Sequence, residues 1–150
     1  MQARTKLIMA ETELSKLIYE RGVDDKGFAR IRSKGDEALF GGHDTSKMKI
    51  RLNIPKNKPL ADFLPTVTIA AKNFATEITN FNVKQNNLNG EEKITGEHVK
   101  NNREIRNVLA KNNIVPENLP AEEDAKKLER RIKRDEHKIA SDSHHKKQPL

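Results

Sequence analysis

From Ala3 to Arg21, the apolar residues Leu7, Ala10, Leu14, Leu17 and Ile18 recur at spacings of three and four, which puts them on one face of an α-helix. The same period returns in Val67, Ala70, Ala71, Phe74, Ile78 and Phe81, and again in Ala121, Ala125, Leu128, Ile132 and Ile139. An alternating pattern competes only at Val67, Ile69 and Ala71, where Thr66, Val67, Thr68 and Ile69 also favour a strand by being β-branched. The helical period outlasts that alternation by several turns. The chain is therefore expected to be mainly α: a compact multi-helix domain with a long charged C-terminal helix and a disordered tail.

Punctuation residues divide the helices. Gly22 is placed to cap the first, and glycines at 27, 35, 41 and 42 leave room for short helical pieces around Phe28 to Ser33 and Asp36 to Phe40. Asp44 or Thr45 can cap a short helix running to about Leu52. Pro55 and Pro59 make a loop of the next stretch, because proline donates no backbone hydrogen bond and restricts its predecessor. Leu60 to Leu64 reads as one helical turn, and Pro65 opens the longest core helix. Thr95 is the expected cap of a helix from Gly96 to about Asn112. Pro120 opens the last helix, with Glu122, Glu123 and Asp124 at its positive end. The expected organisation is a helical core over 1–118, a charged helix over 119–140 and a disordered tail over 141–150.

That core has to be thin. Of the 150 residues 34% are hydrophobic and 34% charged, with no Trp and one Tyr, so Leu, Ile and the five Phe must do the packing. Phe28, Phe40, Phe63, Phe74 and Phe81 all fall on apolar stripes and are read as core residues. The absence of cysteine excludes disulfides and thiolate metal sites and suits a reducing cytoplasm. No apolar run approaches the roughly 18 residues that span a bilayer, and Glu11 to Glu13 interrupt anything like a secretory signal. A cytoplasmic location without membrane contact is the expectation.

Catalytic chemistry finds no foothold. His43, His98, His137, His144 and His145 include no pair at metal-ligand spacing with a nearby Glu, and His98 reads as a capping or surface residue. No serine sits in a nucleophile elbow. The adjacent acids Asp24 with Asp25, and Asp36 with Glu37, read as solvated turn residues, and Gly35 to Gly42 lacks the Lys-Ser/Thr of a phosphate loop. A non-enzyme with no cofactor, no metal and no small-molecule substrate is expected.

Charge is the positive signal. Residues 24–58 hold nine basic against five acidic residues, more than half of the net charge of +7. Arg30, Arg32, Lys34, Lys47, Lys49, Arg51, Lys56 and Lys58 are the candidates to meet nucleic-acid phosphate or an acidic filament. On the short helix, Met48 and Leu52 share a face that can anchor it while Lys47 and Arg51 point out. The rival is a protein-interaction module, a homodimer or an antirepressor-like partner binder, working through Leu128, Ile132 and Ile139 of the last helix.

Five segments carry a resemblance: Ala38 to Gly42 (ALFGG), Leu60 to Thr66 (LADFLPT), Ala75 to Thr79 (ATEIT), Glu97 to Arg103 (EHVKNNR) and Leu119 to Asp124 (LPAEED). In that order, from about Arg4 to Arg131, the chain resembles the C-terminal half of the bacterial DNA-damage-inducible protein D family. Longer members add an N-terminal region similar to a domain of viral and phage antirepressors, so a truncated or stand-alone version is expected here. The resemblance implies production in the SOS response and modulation of the RecA recombinase on single-stranded DNA, restraining strand exchange. It implies no catalytic residues. The expected partners are thus single-stranded DNA or the RecA filament, with recombination and repair as the setting.

Overall fold

The computed structural model describes residues 2–122 and 125–146, with side chains described for 2–122 and 130–140. The described residues form helices α1 (Ala3–Tyr19), α2 (Asp25–Leu39), α3 (Thr45–Arg51), α4 (Thr66–Gln85), α5 (Glu91–Lys111) and α6 (Ala125–Lys146), with 3-10 turns at Leu60–Phe63 and Pro116–Asn118 and no strand. The mainly α class read from periodicity is the one the chain adopts.

Four helices close a ring in which α1 packs on α4, α4 on α5, α5 on α2, and α2 more lightly on α1. Contacts between the helices fix their directions. Asn80 donates to the Ala10 carbonyl and Lys84 pairs with Glu13, so α1 and α4 run the same way; Arg30 with Glu91 and Arg106 with the Leu39 carbonyl align α2 with α5. The connection from α2 to α4 therefore crosses one end of the bundle diagonally. Residues 40–65, α3 included, make that crossing.

The thin core is split into two apolar clusters. Leu7, Leu39, Phe40, Met48, Leu60, Ile69, Ala75, Ile105 and Leu109 pack at the crossing end, while Leu14, Ile18, Val23, Ile31, Val83 and Ile94 pack at the other. Between them lies a buried polar layer of Asp36, Thr79, His98, Asn101 and Asn102, which Lys72 joins through Asp36. Met48 and Leu52 anchor α3 as expected, and Asp44 caps it by accepting from the Lys47 amide at 2.9 Å.

Several expectations are corrected. The glycine-punctuated stretch is one unbroken helix, α2, because Gly27 and Gly35 face neighbours instead of ending turns. A Cβ on Gly35 would stand 2.5 Å from His98 Cδ2 and one on Gly27 2.9 Å from Glu91 Oε1, so both positions are kept bare by what packs there. Gly41 and Gly42 do end the helix, with φ of 64° and 103°.

Helix α5 begins at Glu91, ahead of the expected cap Thr95. Gly90, at φ 86°, donates to the Arg21 carbonyl at 2.9 Å and fixes the start, and Glu91 and Glu92 occupy the positive first turn. Pro120 to Glu122 are not helical, since the Glu122 amide is drawn to the Phe63 carbonyl at 2.7 Å. Glu123 and Asp124, read as first-turn residues, lie outside the described residues. The backbone of α6 runs past Ala140 to Lys146, and 147–150 of the segment read as a tail lie outside the described residues.

The largest correction is the facing of α4. Most of its expected core stripe points outward: Val67, Phe74 and Phe81 are 41%, 58% and 66% exposed, and of that stripe only Ala71 is buried, with Ile78 half-buried against the core. The buried face instead carries Thr68, Ile69, Ala71, Lys72, Ala75, Thr76, Thr79, Asn80 and Val83. Helix α4 is flanked by α1 and α5 together, and its inner face needs short side chains that let both approach, with polar ones to serve the buried layer. Phenyl rings meet neither need. Phe28 and Phe63 are half-buried, so Phe40 is the fully buried ring.

Candidate nucleic-acid interface

The groove between α1 and α2, roofed by the crossing segment, opens as a cleft of about 490 Å³. From α1 come Arg4, Ile8, Glu11, Thr12 and Ser15; from α2, Phe28, Arg32 and Asp36; from α3 and its cap, Thr45 and Lys49; from the proline loop and the turn after it, Lys56 to Asp62; and Lys72 of α4 lies at the floor. Six cations face three carboxylates there, so the lining is basic with apolar patches at Ile8, Phe28 and Leu60.

The floor is a buried ion pair. Lys72 and Asp36 are 7% and 3% exposed; the Lys72 ammonium donates to Asp36 Oδ1, and the Thr45 hydroxyl donates to Asp36 Oδ2 at 2.6 Å. Each partner satisfies a charge that would be costly to bury alone. At the rim, Arg4 Nε donates to Asp62, and Lys49 Nζ donates to the Lys56 carbonyl at 3.2 Å, holding the loop against α3. Arg32 spreads over the Phe28 ring, 5.5 Å from its centroid, with Glu11 3.8 Å away, while Lys58 stands 6.0 Å above the Phe63 ring.

Behind the floor, His98 is buried and neutral. Burial pushes its pKa down to about 4, the carboxylate of Asp36 working against that shift and the Lys72 charge with it. Thr79 gives its one hydroxyl hydrogen to the Ala75 carbonyl at 2.9 Å, so its oxygen accepts from Asn101 Nδ2 at 3.0 Å and from His98 Nδ1 at 2.8 Å. His98 therefore carries its proton on Nδ1. The reading of His98 as a capping or surface residue is corrected, and so is that of Asp36 as a solvated turn acid. Both sit where Gly35 lets α2 and α5 close on each other.

The structure brings Arg32, Lys49, Lys56 and Lys58 together in the cleft. It holds the other sequence candidates elsewhere. Arg30 forms a two-pronged pair with Glu91 at 2.7 and 2.8 Å, Lys34 lies 3.7 Å from Glu37, and Arg51 donates to the Glu117 carbonyl and to Asn118 Oδ1. Arg51 thus fastens α3 to the turn after α5. In that same turn Glu117 is held below the usual carboxylate range: partial burial is the largest single influence and opposes this, but the hydrogen bond from Arg106 at 2.7 Å, a backbone hydrogen bond and the Arg106 and His43 charges together outweigh it. Lys47 is exposed on α3 outside the cleft.

Arg4 and Lys72 are cleft cations that composition by segment misses, since neither lies in 24–58. A signal for Lys72 does exist in the chain: Thr68, Lys72, Thr76 and Asn80 recur every fourth residue, a polar helical stripe as regular as the apolar one opposite. Among the described residues, no group of three or more His, Asp or Glu side chains is arranged to hold a metal ion, and no helix is long and apolar enough to cross a membrane.

Residues 1–128 match the family model of the DinD C-terminal domain. The chain belongs to that family. A curated relative, DNA damage-inducible protein D of Escherichia coli (strain K12), is 26% identical over 108 residues, which are 71% of this chain and 39% of that protein. This DinD C-terminal domain thus spans well under half the length of the relative. Its cleft draws on every bundle helix except α5, so within the DinD domain it is a product of the whole fold.

Proposed function

We propose that this DinD domain is a non-enzymatic accessory of the bacterial DNA-damage response that binds single-stranded DNA, or the RecA filament formed on it, through the basic cleft, and so modulates recombination. The observation that carries this reading is the convergence of Arg4, Arg32, Lys49, Lys56 and Lys58 on one cleft from separate elements of the chain. Clustered cations on a rigid frame are what phosphate neutralisation and counter-ion release require. The relative's name places it in the response to DNA damage, which supports the same setting.

The test is a titration of single-stranded DNA and of RecA filaments at two salt concentrations, with Lys49, Lys56 and Lys58 changed to Glu. Binding is expected to weaken at both salts. Each phosphate that is no longer neutralised should flatten the slope of log affinity against log salt by about 0.7. Lys47→Glu, outside the cleft, should change little. Equal weakening in the two variants would remove the cleft from the mechanism.

Exposed Ile132 and Ile139 on α6 favour a second reading, a protein-interaction or dimerisation module working through that helix. The side chain of Leu128, grouped with them in the sequence, lies outside the described residues. An affinity insensitive to salt and abolished in Ile132→Asp, in a chain that still melts cooperatively, would select it.

A further inference from the structure

The cleft is more than a charged groove, because its two ends differ in chemistry. The end made by α3 and the proline loop is lined by Lys49, Lys56 and Lys58. The end between α1 and α2 holds Ile8, Phe28 and Arg32. There the Arg32 guanidinium lies 5.5 Å from the centre of the Phe28 ring with Glu11 at 3.8 Å, so the flat cation has a ring on one side and a carboxylate beside it. A guanidinium tethered in that way is a platform on which a planar base can stack, and stacking is what single-strand binders add to backbone contacts. A cleft of about 490 Å³ is within the range that encloses a small organic ligand, and it is too small for a duplex.

We infer that the cleft takes one unstacked nucleotide, its base on the Arg32 and Phe28 platform and its phosphate toward Lys49, Lys56 and Lys58. This rests on the single-strand reading above and deepens it. Cations alone bind phosphate whatever the sugar carries, whereas this arrangement requires a base. It also gives a reason for preferring single strands, since a base held in a duplex cannot leave its stack without loss.

Fluorescence anisotropy with a short labelled oligothymidylate, and with an abasic oligomer of the same length and phosphate count, separates the two contributions. The intact chain is expected to bind the base-bearing strand about tenfold more tightly, the effect of one stacked base. Arg32→Lys keeps the charge and loses the plane, so it should weaken binding of the base-bearing strand more than of the abasic one and abolish that preference. Phe28→Leu, which removes the support beneath the guanidinium, should act in the same direction, with thermal melting used to confirm that each variant is folded. Thymidine monophosphate should displace the oligomer at concentrations where inorganic phosphate does not.

Equal binding of the two oligomers by the intact chain would overturn the base site and leave the phosphate reading standing. A preference that survives both substitutions would also overturn it, by placing the stacking surface elsewhere. Binding of neither oligomer, with or without RecA, would instead sink the single-strand reading on which it rests.

Discussion

His98 links a buried contact to a bulk property. In the unfolded chain an imidazole takes up its proton near pH 6.5, but in the fold it does so only at about 4. Between those values the unfolded state binds more protons. The stability contributed by neutral His98 is therefore complete above 6.5 and is lost as pH falls toward 4, by about 3 kcal/mol in all. Urea melts across that window should show the decline, and His98→Asn should flatten it. An unchanged slope in the variant would assign the pH dependence to other groups. The glycines make a second residue-scale contrast. Gly35→Ala drives a methyl into His98 and should destabilise by about 1 to 2 kcal/mol after the gain in helix propensity, whereas Gly96→Ala on α5 meets nothing within 4 Å and should stabilise by about 0.5 to 1 kcal/mol. Chemical denaturation of the two variants reads both signs.

At the scale of the element, α4 shows why hydrophobicity alone misplaces a helix. Its period was legible, and so was its start after Pro65, though α5, at 21 residues against 20, is the longer of the two; its rotation was not legible, because two stripes share the same period. A Phe stripe usually wins by burying more area. Here the inner face is set by the need for short side chains between α1 and α5 and for partners to His98 and Asn101. The consequence reverses ordinary expectation: Phe81→Ser should change stability by less than about 0.5 kcal/mol. Thr79→Val leaves the His98 and Asn101 donors buried without an acceptor and should cost about 2 to 4 kcal/mol. A Phe81 variant the more damaged of the pair would contradict the facing described. The early start of α5 was illegible for a related reason, since what fixes it is a bond from the Gly90 amide to Arg21, far away in sequence.

For the whole molecule, the ion pair of Asp36 with Lys72 ties the diagonal helices α2 and α4 beneath the cleft. Lys72→Met leaves a buried carboxylate with only Thr45 to serve it and should cost about 3 to 5 kcal/mol, while Lys72→Met with Asp36→Leu should recover most of that. A double variant no more stable than the single one would deny that the penalty comes from an unpaired charge. The same pair sets the cleft floor, so the single variant should also weaken the proposed DNA binding at fixed salt.

The sequence by itself determined that the chain is helical, where α1, α3 and α4 lie, and that positive charge gathers between Arg30 and Lys58, because period, caps and composition act over a turn or two. Its resemblance to a known family was carried by short motifs in order. Only the tertiary structure decided which face of α4 turns inward, that Gly27 and Gly35 lie within one helix, and that Arg32, Lys49, Lys56 and Lys58 converge while Arg30, Lys34 and Arg51 are pinned elsewhere. These depend on which side chain meets which across the bundle: Arg4 with Asp62, Lys72 with Asp36, His98 with Thr79. The pairing carries no local signal: the polar stripe of α4 marks Lys72 as inward, but nothing near it in the chain points to Asp36 as its partner.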